Sequence, residues 1–328
     1  MSQSVNKQIK LAPIYFVPYL KEVIWGGSKI CEYKGIAKSG NQIGESWEVS
    51  AIPGRESIVA TGSYKGFTLP ELIDRFGAQL LGQSVYSRYN GKFPLLIKLI
   101  DANDNLSIQV HPDDELAMHR HGTLGKTEMW YIISTDNNAK IYSGLKACIT
   151  PEIYEAKIAD GTFSDVVAVH NSNPGDVFFL PAGRIHTIGT GNLLAEIQES
   201  SDITYRIYDY GRTDSYGKSR ELHTEMAKGA INFTDTMGCG AQPAPKDIPD
   251  TEIANCTHFR VRQILANGNT TLQTDPGSFT VIMCINGYAS VICPDGNANM
   301  QQGQTVLLPA MSASVTINGN GTLLVTQA

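Results

Sequence analysis

In the stretch LSIQVHPDD, Gln109 and His111 stand two residues apart, shortly after the apolar run FPLLIKLI. Positions i and i+2 of a strand point to one face, so a side-chain amide and an imidazole can converge there. Glu128 opens another β-like run, EMWYII, and His186 follows the segment GDVFFLPAGRIH. Two histidines, one carboxylate and one amide oxygen form a donor set suited to Zn²⁺ or a similar divalent ion. A position left open for water or substrate would make such a site catalytic, whereas a closed structural site more often uses cysteines. His119 and His121 (AMHRHG) follow a helical turn and read as solvated. His170, His223 and His258 show no partner pattern and read as structural.

A second concentration of chemistry is Glu196-Ile-Gln198-Glu199-Ser-Ser-Asp202-Ile-Thr-Tyr205-Arg206, running on to Arg212. Apolar residues at 197, 203, 205, 207 and 208 make it partly buried, and a buried arginine needs an anionic partner. Asp202, Asp209 and a ligand phosphate all qualify.

The elements that position these groups are short strands. Runs at 93–100, 129–133, 177–180, 193–197, 279–285, 289–292, 305–308 and 323–326 are apolar and bounded by Gly, Asn, Asp or Pro. Such a pattern predicts an all-β protein of sandwich or jelly-roll units with a few peripheral helices. Thr68-Leu-Pro-Glu71 reads as a capping box leading into ELIDRFGAQLL. Thr150-Pro151 opens a helix to about Ala159, and 221–230 forms a third. Residues 235–250 carry three prolines and two glycines and read as a linker. Gly175-x5-Pro181-Ala-Gly183-x2-His186 recurs as Gly303-x5-Pro309-Ala-Met311-x2-Ser314. Two related β units follow, the second without the histidine.

Composition bounds the function. The 328 residues hold 31 glycines, 18% charged residues and a net charge of -6. An excess of acid argues against nucleic-acid binding, which needs a basic face. No apolar run reaches the ~18 residues of a membrane span, and the N-terminal stretch lacks the compact apolar core of a signal peptide. Six cysteines without a Cys-x-x-Cys pair read as reduced thiols of a cytoplasmic protein.

The Gly-x5-Pro-x-Gly-x2-His segment resembles a conserved motif of the cupin superfamily. Together with LSIQVHPDD, KTEMWYI, PAGRIHTIGTG and EIQESSDITYRIYDYGR, it resembles type I mannose-6-phosphate isomerases in their short bacterial form. The likeness spans about residues 11–230 and includes Trp25-Gly-Gly27 and GESWEVS at 44–50. It implies a catalytic cupin domain at 1–240 and a small C-terminal jelly-roll domain at 250–328 without metal ligands. It also implies one Zn²⁺ per chain on Gln109, His111, Glu128 and His186, with another divalent ion as the variant. Arg206 matches an active-site arginine, Asp202 a pocket position, and Ser107 and Lys126 polar pocket residues, Lys126 also a candidate in proton transfer. Where longer relatives often carry histidine before that lysine, Gly125 stands here.

The implied reaction interconverts mannose 6-phosphate and fructose 6-phosphate through a cis-enediol. Asp202 would orient Arg206, and the chain would be a cytoplasmic monomer or homodimer acting on a hexose 6-phosphate. The fold also admits an iron-dependent dioxygenase or a non-catalytic sugar-phosphate binder.

Overall fold

In the computed structural model the described residues are 11–37, 42–213, 216–312 and 314–328, so the first ten residues of the N-terminal stretch lie outside them. Among the described residues no helix is long and apolar enough to cross a membrane.

Strands Ile43–Val49, Leu95–Ala102 and Asn192–Glu199 are buried along their whole length, because both of their faces are covered. They occupy the middle of an antiparallel sheet ordered Gln242–Pro243, Asp176–Leu180, Glu128–Thr135, Asn192–Glu199, Leu95–Ala102, Ile43–Val49, Tyr19–Gly27. Strand alternation sorts the side chains. Leu95, Ile97, Leu99, Met129, Tyr131, Ala195 and Ile197 pack outward, against helix Leu69–Phe76 and the C-terminal strands. Ile100, Trp130, Ile132 and Leu194 pack inward against Ile141 and Ile188 of a second sheet. Lys98, Glu128 and Glu196 share the inward parity. The second sheet runs Tyr205–Tyr208, Ile108–Val110, His186–Ile188, Lys140–Leu145, Val167–Asn171. These two facing sheets are the jelly roll that the strand pattern predicts.

The third sheet is built mainly from Asp250–Asn255, Arg260–Leu272, Thr280–Cys293, Thr305–Leu308 and Val315–Gln327, and the N-terminal strand Ile14–Val17 pairs with Thr305–Leu308 within it. The runs at 279–285 and 289–292 are one strand. Asn286-Gly287 has the composition of a turn, yet here it makes a bulge. A side chain at Gly287 would meet Asn320 O at 2.0 Å, so the two strands cross closely instead of folding back.

Thr68 accepts from Glu71 N while the Glu71 carboxylate accepts from Thr68 N, which closes the capping box. The helix stops at Gly77, and Ala78–Leu81 forms a separate turn. The helix expected over 221–230 is only Thr224–Lys228. His119 and His121 fall inside a helix, Asp114–His121, rather than after one. Segment 235–250 is pinned rather than free. Asp235 pairs with Arg184 at 2.7 Å, and Gln242–Pro243 adds a strand beside Asp176–Val177. Both repeat glycines, Gly175 (φ 90°) and Gly303 (φ 79°), make the same left-handed turn into a strand. His186 is buried after the first copy and Ser314 exposed after the second.

Candidate active site

Cross-strand pairing places Arg206 opposite Gln109, and Gln109 opposite His186. Neighbouring strands lie about 4.8 Å apart, so these three side chains form one row on the second sheet. Glu128 approaches from the first sheet. Its Oε1 is 3.3 Å from His186 Nε2 and its Oε2 is 3.6 Å from His111 Nε2.

Each imidazole is fixed by its other nitrogen. His111 Nδ1 donates to Ile203 O and His186 Nδ1 to Arg184 O, both at 2.9 Å, which leaves the two Nε2 atoms as lone-pair acceptors on the side of Glu128, that of His111 accepting from Lys126 Nζ. Burial, reinforced by Lys126, lowers both histidines, His186 to about 3 and His111 well below its usual value. They are therefore neutral, the form in which imidazole binds a metal. Gln109 Nε2 lies 3.3 Å from His186 Nε2, and a half-turn of the amide brings its oxygen to that point.

The decisive group is Glu128. It is fully buried, and neither carboxylate oxygen has an aligned hydrogen-bond donor. Lys126 Nζ stands 2.8 Å from Oε2 and 3.1 Å from His111 Nε2, as the positive charge closest to the carboxylate. Burial raises Glu128 strongly against the opposing pull of Lys126. A buried carboxylate facing two neutral imidazole lone pairs is a donor set that a divalent cation satisfies.

A cavity of about 340 Å³ opens beside this cluster, lined by Ser107, Gln109, Lys126, Asp202, Arg206 and Arg220 among others. That volume lies within the ~300–1,000 Å³ of small-ligand pockets. The structure thus brings Ser107, Gln109, His111, Lys126, Glu128, His186, Asp202 and Arg206 to one place, but with one different pairing. Asp202 does not orient Arg206. Its Oδ2 accepts from Arg55 Nη1 at 3.0 Å, and Arg55 lies over the Trp47 and Tyr19 rings. Asp209 is held by Arg212 and Arg220. Arg206 donates from Nη1 to Glu221 O, and its buried Nε has no acceptor.

Matches to known proteins agree with this geometry. Residues 15–141 match the model for the phosphomannose isomerase type I catalytic domain, and 250–328 the mannose-6-phosphate isomerase cupin domain. Mannose-6-phosphate isomerase ManA of Bacillus subtilis is 37% identical over 300 residues, covering 90% of this chain and 93% of its own. The chain belongs to the type I phosphomannose isomerase family. Mannose-6-phosphate isomerase of Streptococcus mutans is 33% identical, covering 94% of this chain and 96% of its own. A crystal structure of the Bacillus subtilis mannose 6-phosphate isomerase superposes with a TM-score of 0.83 at 33% identity, covering 96% of this chain and 99% of that one.

Sequence reasoning misses part of this phosphomannose isomerase pocket. Lys98, hidden in the apolar run FPLLIKLI, bonds Glu196 at 2.9 Å and lies 3.6 Å from Glu45, whose other oxygen pairs with Lys21 at 2.9 Å. Trp130 and Trp47 donate their indole N–H groups to Glu196 and Glu45. A lone charge inside an apolar strand was the available signal.

Burial raises Glu45, but Lys98 and Lys21 outweigh it and hold the carboxyl down to about 2. Between its ordinary 4.5 and about 2, the unfolded chain binds a proton at this position that the folded chain does not. Stability from this group is therefore present above pH ~4.5 and is lost as pH falls toward 2. Urea titrations across that range should show a shallower pH dependence of unfolding free energy for Glu45→Gln than for the parent. Equal slopes would refute the assignment.

Proposed function

We propose that this isomerase interconverts mannose 6-phosphate and fructose 6-phosphate, with Gln109, His111, Glu128 and His186 as ligands of one Zn²⁺ or similar divalent ion. The observation that carries the site assignment is the Arg206–Gln109–His186 row facing a buried Glu128 whose oxygens lack aligned donors. A bound divalent ion supplies Lewis-acid stabilisation of negative charge on substrate oxygen.

The chain's own groups divide the remaining work. In the aldose-to-ketose direction the C2–H bond breaks and its electron pair forms the C1–C2 double bond of an enediolate, with charge on O1. Arg206, whose Nε has no acceptor in the protein, offers a donor to that charge where it develops. O1 takes a proton, O2 loses one, and a proton returns to C1. Lys126 Nζ, buried in the pocket wall beside Glu128, is the group we assign to moving a proton, a role worth ~10²–10⁴ in rate. Ser107 and Asp202 line the same cavity and contact the sugar phosphate, Asp202 with its charge already balanced by Arg55.

The catalytic unit is assigned to 1–240 and the companion unit to 250–328, in a cytoplasmic chain acting as monomer or homodimer. Incubating the zinc-loaded chain with mannose 6-phosphate, while following both ketose and dissolved oxygen, tests the reading. Ketose should form with no oxygen consumed. Oxygen uptake without ketose would indicate dioxygenase chemistry, and tight binding without either change would indicate a sugar-phosphate sensor.

A further inference from the structure

We propose that Asp114, Glu199 and His258 form a second divalent-cation site, on the outer face of the first sheet, joining the C-terminal unit to the segment that carries Lys126 and Glu128. One ligand atom from each of the three lies within 4.8 Å of the others. His258 Nδ1 is 3.0 Å from Glu199 Oε2 and 4.0 Å from Asp114 Oδ2.

Proximity of acids alone would mean little. The deciding group is Glu199, whose side chain is 2% exposed and whose Oε2 has no aligned hydrogen-bond donor, although His258 Nδ1 is so close. Glu128 in the first site shows the same signature: a buried carboxylate oxygen beside an imidazole nitrogen without a hydrogen bond between them.

Burial and the facing Asp114 carboxylate raise Glu199 to about 8, although Thr127 N–H opposes them. Burial and Arg88 lower His258 against the opposing pull of Asp114. One nitrogen with two carboxylate donors suits Zn²⁺ or a similar ion, water completing its shell.

The remaining oxygens are already committed in the manner of ligands held by outer contacts. Asp114 Oδ1 accepts from Gly125 N at 2.8 Å, and Glu199 Oε1 accepts from Thr127 N at 2.7 Å. These two bonds bracket Lys126. The repeat position Ser314 gives the C-terminal unit no ligand, but His258 gives it one at the junction. Phe259, the next residue, packs in the same core as Ile197.

The test counts metal. Chelator-stripped protein is reloaded with Zn²⁺, dialysed and assayed by elemental analysis. The parent chain should hold two equivalents, His258→Ala one, Glu128→Gln one, and the double variant none. Should His258→Ala fail to fold, Asp114→Asn, at a half-exposed carboxylate, gives the same count. One equivalent in the parent, kept by His258→Ala and lost by Glu128→Gln, would overturn the second site. So would two equivalents that both single variants retain. One equivalent kept by Glu128→Gln and lost by His258→Ala would instead uphold this site and remove the ligand assignment of Glu128.

Discussion

Glu128→Gln should lower kcat/KM for mannose 6-phosphate by ~10³ or more, because it removes the only formal negative charge among the four proposed ligands of the first site. The replacement keeps the shape of the side chain, so packing against the neighbouring strands is preserved. What changes is the donor set: two neutral imidazoles and two amides hold a divalent ion far less well than a set containing a carboxylate. Metal content and activity should therefore fall together. The competing interpretation makes Glu128 a structural partner of Lys126, 2.8 Å away. In that case Glu128→Gln would lower the melting temperature while metal content and turnover persisted.

Arg206→Lys should reduce kcat by ~10²–10³ with metal content unchanged, the scale for losing one preorganised donor at a developing oxyanion. Lysine retains the charge but not the planar fork, and its ammonium cannot both bond Glu221 O and present a second N–H along the direction of Nε. The row Arg206–Gln109–His186 sets the guanidinium beside the metal ligands, where charge on O1 and O2 would develop. A rise in KM at constant kcat would instead place the phosphate of the substrate at Arg206.

The sequence makes the proposed ligand residues legible through local rules. Strand alternation puts Gln109 and His111 on one face, and a turn glycine followed by a strand and proline leads to His186. What brings Glu128 within 3.3–3.6 Å of both histidines is the facing of two sheets, which no local pattern encodes. Asp202 shows the same limit. Its nearest positive residue in sequence is Arg206, yet its partner is Arg55, 147 residues away.

Lys98 is obscured differently: a burial pattern reads it as part of an apolar strand, whereas it offsets two buried glutamates across three neighbouring strands. Helix Asp114–His121 lacks an apolar stripe, burying only Ala117, so hydrophobic periodicity cannot reveal it. His258 has no partner in its own stretch of chain. It gains meaning only when the C-terminal unit folds against Glu199.

Whether the cation of this isomerase rests on His111 and its three companions is decided by fructose 6-phosphate formation from mannose 6-phosphate, measured on the stripped chain, on the same chain after zinc is restored, and on zinc-loaded His111→Ala. Turnover should vanish on stripping, return with zinc and be absent from His111→Ala. Full turnover by the stripped chain, or by His111→Ala, would contradict that placement.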